Sequence, residues 1–390
     1  MSKVTKGWKE IQLKDVLDYD QPIEYIVETP ILEEETQIPV LTANKSFIKG
    51  YTNETKGIYN KVPVIIFDDF TADNKFVNFP FKVKSSAMKI LKLNDKSANL
   101  KFIFYQMQLI DVNTTTHKRY YISLYQNLPF IFPVDENGEI DLEKQEQIIE
   151  KIEKQFTRLD ASAKDLKSIK EKLDVYRKSV LNKTYKGNSN WIKSTIGDSI
   201  CKIEQVVPQN SDFKEFTYID IASIDNTKQK IVNKNKVISL DAPSRARQLT
   251  FVGDIVFSTV RTYLKNIAII PEINGTIISS TGFAVLRPKK TINRNFMYYY
   301  LLSDKLLRDI NKMQVGTSYP AIRKNDLLEY DFSYPESELE QEKIIGDVES
   351  HFSIIDKLEQ TVDSALLKTE QLKKSILKSA FEGKLVKNNA

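Results

Sequence analysis

The side chains best suited to chemistry in this 390-residue sequence are clustered arginines, lysines and hydroxyl residues rather than catalytic pairs. Arg245 and Arg247 bracket Ala246 and precede Gln248. Arg261 and Lys265 follow an apolar, strand-like run, and Gly316-Thr317-Ser318-Tyr319 and Arg323-Lys324 complete the series. An arginine fork matches the two acceptors of a guanine edge or grips a phosphate, while Ser, Thr and backbone N–H groups hold phosphate oxygens. In the N-terminal third the comparable residues are Lys82, Lys84, His117, Lys118 and Arg119. Any one of them alone is an ordinary solvated charge. As a set on predicted loops, interleaved with Tyr and Gly, they point to nucleic-acid binding.

Enzymatic chemistry finds less support. Asn127-Leu128-Pro129-Phe130 approaches the N-P-P-[Y/F] motif of amino-methyltransferases, but its second position is Leu and no glycine-rich cofactor loop accompanies it. There is no G-x-x-x-x-G-K-[ST] phosphate loop. Two histidines and one cysteine leave no basis for a zinc site or a Ser or Cys hydrolase, so no metal and no catalytic residue is expected. The single Cys201 and the polar start of the sequence, without a secretory signal or a membrane span, fit a cytoplasmic protein. Net charge is +5, and residues 188–335 alone carry +6 against −1 for residues 1–139. The basic excess therefore sits where the arginine series lies, which suggests an anionic partner there.

The elements that must position these residues come from a duplication. Residues 143–187 and 339–383 align at a constant offset of 196 without a gap, matching Gln145 to Gln341, Phe156 to Phe352, Asp160 to Asp356 and Tyr185 to Phe381. Both copies are free of proline and carry apolar residues at steps of three and four. In the first these are Ile149, Ile152, Phe156, Leu159, Ala163, Leu166, Ile169, Leu173, Tyr176 and Val180. In the second they are Ile345, Val348, Phe352, Ile355, Leu358, Val362, Ala365, Leu372 and Ile376. Each copy predicts a helix of roughly 60 Å. Ile149, Ile152, Phe156, Leu159 and Leu166 of the first copy and Ile345, Val348, Phe352, Ile355 and Val362 of the second are the expected helix–helix packing residues, because so narrow a stripe needs a partner helix. Periodicity leaves the direction of the pair open, and the 3-4 alternation breaks once, between Leu166 and Ile169.

Two globular segments separate the helices and echo each other more faintly. Trp191, Ile196 and Asp198 repeat the spacing of Trp8, Leu13 and Asp15, and Asp254-Ile255-Val256-Phe257 parallels Val64-Ile65-Ile66-Phe67. The expected organisation is a first module at 1–139, a first long helix at 140–187, a second module at 188–335 and a second long helix at 336–390. The fold class is α/β (α+β), built as a pseudo-twofold duplication. Conserved helices with diverged heads suggest two similar tasks on two different targets.

Several stretches together carry a resemblance to a known family. They are Leu339-Glu340-Gln341-Glu342-Lys343-Ile344-Ile345, Ser375 through Leu385 with its Ala380-Phe381-Glu382-Gly383 core, Gly253-Asp254-Ile255-Val256-Phe257-Ser258, Ser279-Ser280-Thr281-Gly282-Phe283, and Gly316-Thr317-Ser318-Tyr319-Pro320. On these the chain resembles the specificity subunits of type I restriction–modification enzymes. The resemblance implies two α/β target-recognition domains on an antiparallel pair of long helices, each domain reading half of a split DNA sequence while the helices fix the gap. It implies double-stranded DNA, two modification (methyltransferase) subunits and restriction/translocase subunits as partners. S-adenosylmethionine, ATP and Mg belong on those partners and no cofactor on this non-catalytic chain. The first copy departs from the family pattern by ending in Tyr185-Lys186-Gly187, and the first module lacks the Gly-Asp-Ile core. The other readings are the specificity subunit of a related type II methyltransferase–nuclease and a coiled-coil scaffold without a DNA function.

Overall fold

Uninterrupted apolar periodicity without proline gives two helices, Leu142–Thr184 and Glu338–Phe381. In this computed structural model the structure describes residues 7–33, 38–44, 46–94, 98–112 and 119–385. The chain divides into two units, one of Met1–Leu166 with Asp363–Ala390, the other of Lys167–Val362. Each helix ends before a glycine in the left-handed region, Gly187 at φ +89° and Gly383 at φ +74°, where a side chain would be strained. Among the described residues no helix is long and apolar enough to cross a membrane.

The packing stripe follows a stricter heptad than the apolar residues alone suggest. Ile149, Ile152, Ile345, Val348, Ile355 and Val362 are buried, and Phe156, Leu159, Leu166 and Phe352 are half-buried. Ile169, Tyr176, Leu358 and Leu372, which the periodicity places on the stripe, are instead exposed at 43–51%. Beside Tyr176 and Leu372 the seam runs one residue to the side: Leu173 and Val180 are buried with half-buried Arg177 between them, and Thr369 and Leu377 are buried with half-buried Lys373 between them. Arg177 and Lys373 are tolerated there because they are paired. Arg177 reaches Asp356 at 2.6 Å and Glu359 at 3.2 Å and lies 4.6 Å from the Phe352 ring centre. In the other unit Lys373 reaches Asp160 at 2.6 Å, above the Phe156 ring. Arg177 and Lys373, like Asp160 and Asp356, are equivalent at the offset of 196, so each unit holds its own copy of one device.

Within each unit the helices run antiparallel. Lys151 meets the Leu385 carbonyl while Asp160 meets Lys373 in one. In the other, Val180, Leu181 and Tyr185 share a core with Ile345 and Val348. Each module's core thus receives the start of one long helix and the end of the other. Phe102 contacts Trp8, Phe132 and Phe381, and Phe296 contacts Trp191, Phe332 and Tyr185. Tyr185, where the family pattern has Phe, packs like its counterpart and satisfies its hydroxyl on the Phe296 carbonyl at 2.9 Å.

The heads share a topology that their sequences barely show. A ribbon pairs Trp8–Gln12 with Pro129–Pro133 in one unit and Ile192–Thr195 with Asp331–Tyr334 in the other, each just ahead of a long helix. Ile38–Leu41 runs parallel to Lys82–Val83 and antiparallel to Ile48–Thr52. Glu215–Ile219 likewise runs parallel to Ile277–Ser280 and antiparallel to Asn235–Ile238. A second, antiparallel sheet centres on Val64–Asp68 in one and Ile255–Ser258 in the other. The first module carries the helix Leu100–Met107, and the second carries two helices at the matching place, Arg294–Leu301 and Asp304–Lys312, split at Ser303.

The duplicated glutamines join heads to helices. Gln145 and Gln341 are fully buried. Gln145 Oε1 accepts the Asn99 N–H at 2.9 Å, and Gln341 Oε1 accepts the Asn293 N–H at 2.7 Å. Asn99 and Asn293 in turn cap the helices Leu100–Met107 and Arg294–Leu301 with their side chains. Gln341 Nε2 also donates to the Thr291 and Pro335 carbonyls, both at 2.9 Å.

Candidate nucleic-acid interface

The arginine series of the second module converges through backbone pairing. After strand Ile255–Ser258, Thr259 donates its N–H to Gly282 (3.0 Å) and accepts from Ile322 (2.9 Å). Arg261 N–H donates to Pro320 (2.7 Å), and Thr281 N–H donates to Arg245 (2.9 Å). Four segments distant in sequence, around 245, 260, 281 and 320, therefore form one layer at one end of the sheets.

The loop that carries Arg261 is strained and pinned. Arg261 at φ +48° and Lys265 at φ +54° flank the single turn Thr262–Leu264. Left-handed conformations in such residues cost roughly 1–2 kcal/mol each, and strain of this kind persists only where neighbours enforce it. Here buried Thr262 donates to Asn311 Oδ1 at 2.6 Å, and Gln314 donates to both. The result presents the Arg261 guanidinium 4.3 Å from the centre of the Tyr319 ring, with Nη2 donating to the Ser318 carbonyl at 2.9 Å. Tyr319 is 70% exposed, and Gly316, Thr317 and Ser318 beside it are exposed.

Arg245 and Arg323 are exposed, and Arg247, Lys265 and Lys324 half-buried. Among the described residues none of these cations, nor Arg261, has a carboxylate within ion-pair distance. Arg261 Nε and Arg247 Nη1 are buried without a hydrogen-bond partner there. Burial holds the Lys324 ammonium below the ordinary lysine range. Its Nζ meets Gln248 Oε1 at 3.4 Å, and buried Gln248 is fixed by donating to the Ser280 and Phe283 carbonyls at 2.7 and 3.0 Å. Partly desolvated cations without counter-ions favour an incoming anion, because pairing recovers what burial costs.

The Gly-Asp-Ile motif has a different duty. Asp254 is 2% exposed and receives Arg287 at 2.7–2.8 Å through two nitrogens, and Arg287 lies over the Phe251 ring. This buried pair ties the start of one strand to the end of its neighbour, below the basic layer.

The first module's residues do not gather in this way. Lys82 is buried at 3%, paired with Glu54 at 2.7 Å and donating to the Lys56 carbonyl, so it is not a surface cation. Burial alone would raise the Glu54 carboxyl, but Lys82 and the N–H groups of Thr29 and Glu28 hold it at about 2. Lys84 and Arg119 are exposed, and His117 and Lys118 lie outside the described residues. Among the described residues no cluster of His, Cys, Asp or Glu is placed to hold a metal ion.

The layer described above lies inside residues 188–368, which match the family model described as the type I restriction modification DNA specificity domain. The second module thus carries a stretch similar to a type I DNA specificity domain. A curated relative, the Escherichia coli type I restriction enzyme EcoR124I/EcoR124II specificity subunit, is 39% identical over 194 residues, 48% of this chain and 47% of the relative. The Escherichia coli EcoDI specificity subunit is 27% identical over 145 residues, 37% of this chain and 31% of the relative. The chain thus spans half or less of the curated relatives it matches. Likeness of fold extends further. A chain from a solved structure on complex assembly and conformational transition of the type I R-M system superposes with TM-score 0.68 at 15% identity, covering 98% of this chain and 100% of that one. The HsdS subunit from Thermoanaerobacter tengcongensis gives TM-score 0.51 at 16% identity, covering 98% of each chain. Two modules and two long helices are therefore the fold that this chain shares with those neighbours.

Proposed function

We propose that the chain is the sequence-specific DNA-binding subunit of a type I restriction–modification complex. Residues 1–139 and 188–335 each read one half of a split duplex target, and the long helices set the gap between the halves. The chain itself is non-catalytic. It docks two modification subunits, which carry S-adenosylmethionine and methylate adenine N6, and restriction subunits that use ATP and Mg, in the cytoplasm. The carrying observation is the layer of counter-ion-free cations around Arg261 and Tyr319, lying within the stretch that matches the DNA specificity domain. Duplex DNA supplies what that layer lacks: phosphate oxygens for the lysines and paired base-edge acceptors for an arginine fork.

Two tests belong to this reading. Arg261→Ala, in the chain bound to its modification subunits, is expected to weaken target binding by about 1–3 kcal/mol and relax one position of one half-site. Competition with a randomised duplex library measures both, and unchanged affinity and preference would return Arg261 to a purely structural role. Four residues inserted after Lys172, matched by four in the second helix, add about 6 Å of helix, or roughly two base pairs of duplex. The recovered target should gain spacer length with both half-sites intact; an unchanged spacer would remove the helices as the ruler.

A further inference from the structure

In the second module the basic layer forms where the parallel strands Glu215–Ile219 and Ile277–Ser280 end, because Thr281 and Gly282 lead directly from them to Arg245 and Thr259. Sites at the carboxyl ends of parallel strands recur because diverging loops leave a crevice there. The first module keeps the same parallel pair, Ile38–Leu41 with Lys82–Val83. At its carboxyl end lies an open cleft of about 310 Å3, lined among others by Asn44, Ser46, Lys49, Asp68, Lys84 and Ser85. Resting on the DNA-binding reading above, we propose that this cleft is the first module's base-reading site for duplex DNA.

The polar groups in the cleft are arranged for an outside partner. Asn44 Oδ1 accepts from Thr42 Oγ1 (2.6 Å), Ser46 Oγ (2.8 Å) and Ser46 N (3.1 Å), so its carbonyl end is saturated and its two amide donors are turned away from those contacts. Asp68 Oδ1 is taken up by the N–H groups of Phe70 and Thr71, both at 2.9 Å. Its neighbour Asp69 faces the interior, accepting from Tyr121 N and pairing with buried Lys89 at 3.6 Å. Lys49 and Lys84 are exposed and, among the described residues, have no carboxylate at ion-pair distance. Two exposed ammonium groups beside a fixed amide and a carboxylate supply donors for phosphate and purine edges and one acceptor for an exocyclic amine. The cleft also accounts for what the first module lacks elsewhere, since Lys82, the other lysine of its strand end, is committed to Glu54.

The test uses the full chain in complex with its modification subunits and a randomised duplex library, with Arg261→Ala as the second-module comparator. The Lys49→Ala/Lys84→Ala double variant is expected to bind roughly ten- to a hundredfold more weakly, with the salt slope reduced by about two. Lys49→Arg/Lys84→Arg should restore both, which separates lost charge from lost folding. Asn44→Ala should relax preference in the half-site that Arg261→Ala leaves untouched. If the Lys and Asn44 variants bind and discriminate as the parent while Arg261→Ala does not, the cleft is not the reading site and the DNA-binding reading stands. If the parent complex selects no sequence from the library, that reading falls and this assignment falls with it.

Discussion

Exchanging residues 188–335 for the corresponding stretch of a relative is expected to replace one half of the recognised DNA sequence and leave the other unchanged. The physical ground is separation of cores. The clusters around Phe257 and Phe296, around Val256 and around Tyr218 are built only from residues of Lys167–Val362. The clusters around Phe102 and Phe81 are built only from residues of the other unit. What the exchanged piece must keep is its attachment: Asn293 for Gln341, Trp191 for Glu340, and Phe296 for Tyr185. With those retained, new loops around positions 245, 261 and 319 meet an unchanged frame. Library selection with the exchanged chain in complex reports the outcome, and a change in both half-sites would show that the modules do not read independently.

The second large effect concerns stability. Gln341→Leu is expected to destabilise the protein by about 3 kcal/mol. Gln341 has no exposed surface and satisfies three backbone groups, the Asn293 N–H and the Thr291 and Pro335 carbonyls. Leucine fills a similar volume, so the loss is polar rather than a cavity: three backbone groups lose their partner, two of them part-buried and the Pro335 carbonyl buried. The cap of Arg294–Leu301 loosens with them, because Asn293 is the capping residue. Denaturant unfolding of the purified chain, or thermal unfolding of the complex, measures the change. A loss below about 0.5 kcal/mol would mean that the duplicated glutamine is not what joins head to helix.

Much of this architecture is legible in the sequence because duplication leaves a constant offset and helices leave a period. The offset alone pairs Gln145 with Gln341, and the contacts of both repeat in the two units. The seam is less legible. Leu358 and Leu372 attract attention as apolar residues, yet half-buried Arg177 and Lys373 and buried Thr369 occupy the stripe. A hydropathy pattern cannot register that Arg177 finds Asp356 and Glu359 on the facing helix. The Arg261 loop is legible as a motif, whereas its strained turn and its stacking on Tyr319 depend on Asn311 and Pro320, some fifty residues away. Lys82 shows the converse. Its type suggests a surface contact, and only the return of Glu54 through an adjacent loop makes it an interior ion pair. Lys49 and Asn44 carry no sequence signal at all, since a cleft at the end of a parallel strand pair is a property of topology.

The most direct test of the central claim is the adenine methylome of a host that expresses the chain together with its modification subunits, read by single-molecule sequencing with this gene intact and deleted. Sequence-specific DNA recognition by this chain predicts that one split N6-methyladenine motif disappears on deletion and returns on complementation. An unchanged methylome, with the modification subunits present and a motif still fully methylated, would contradict it.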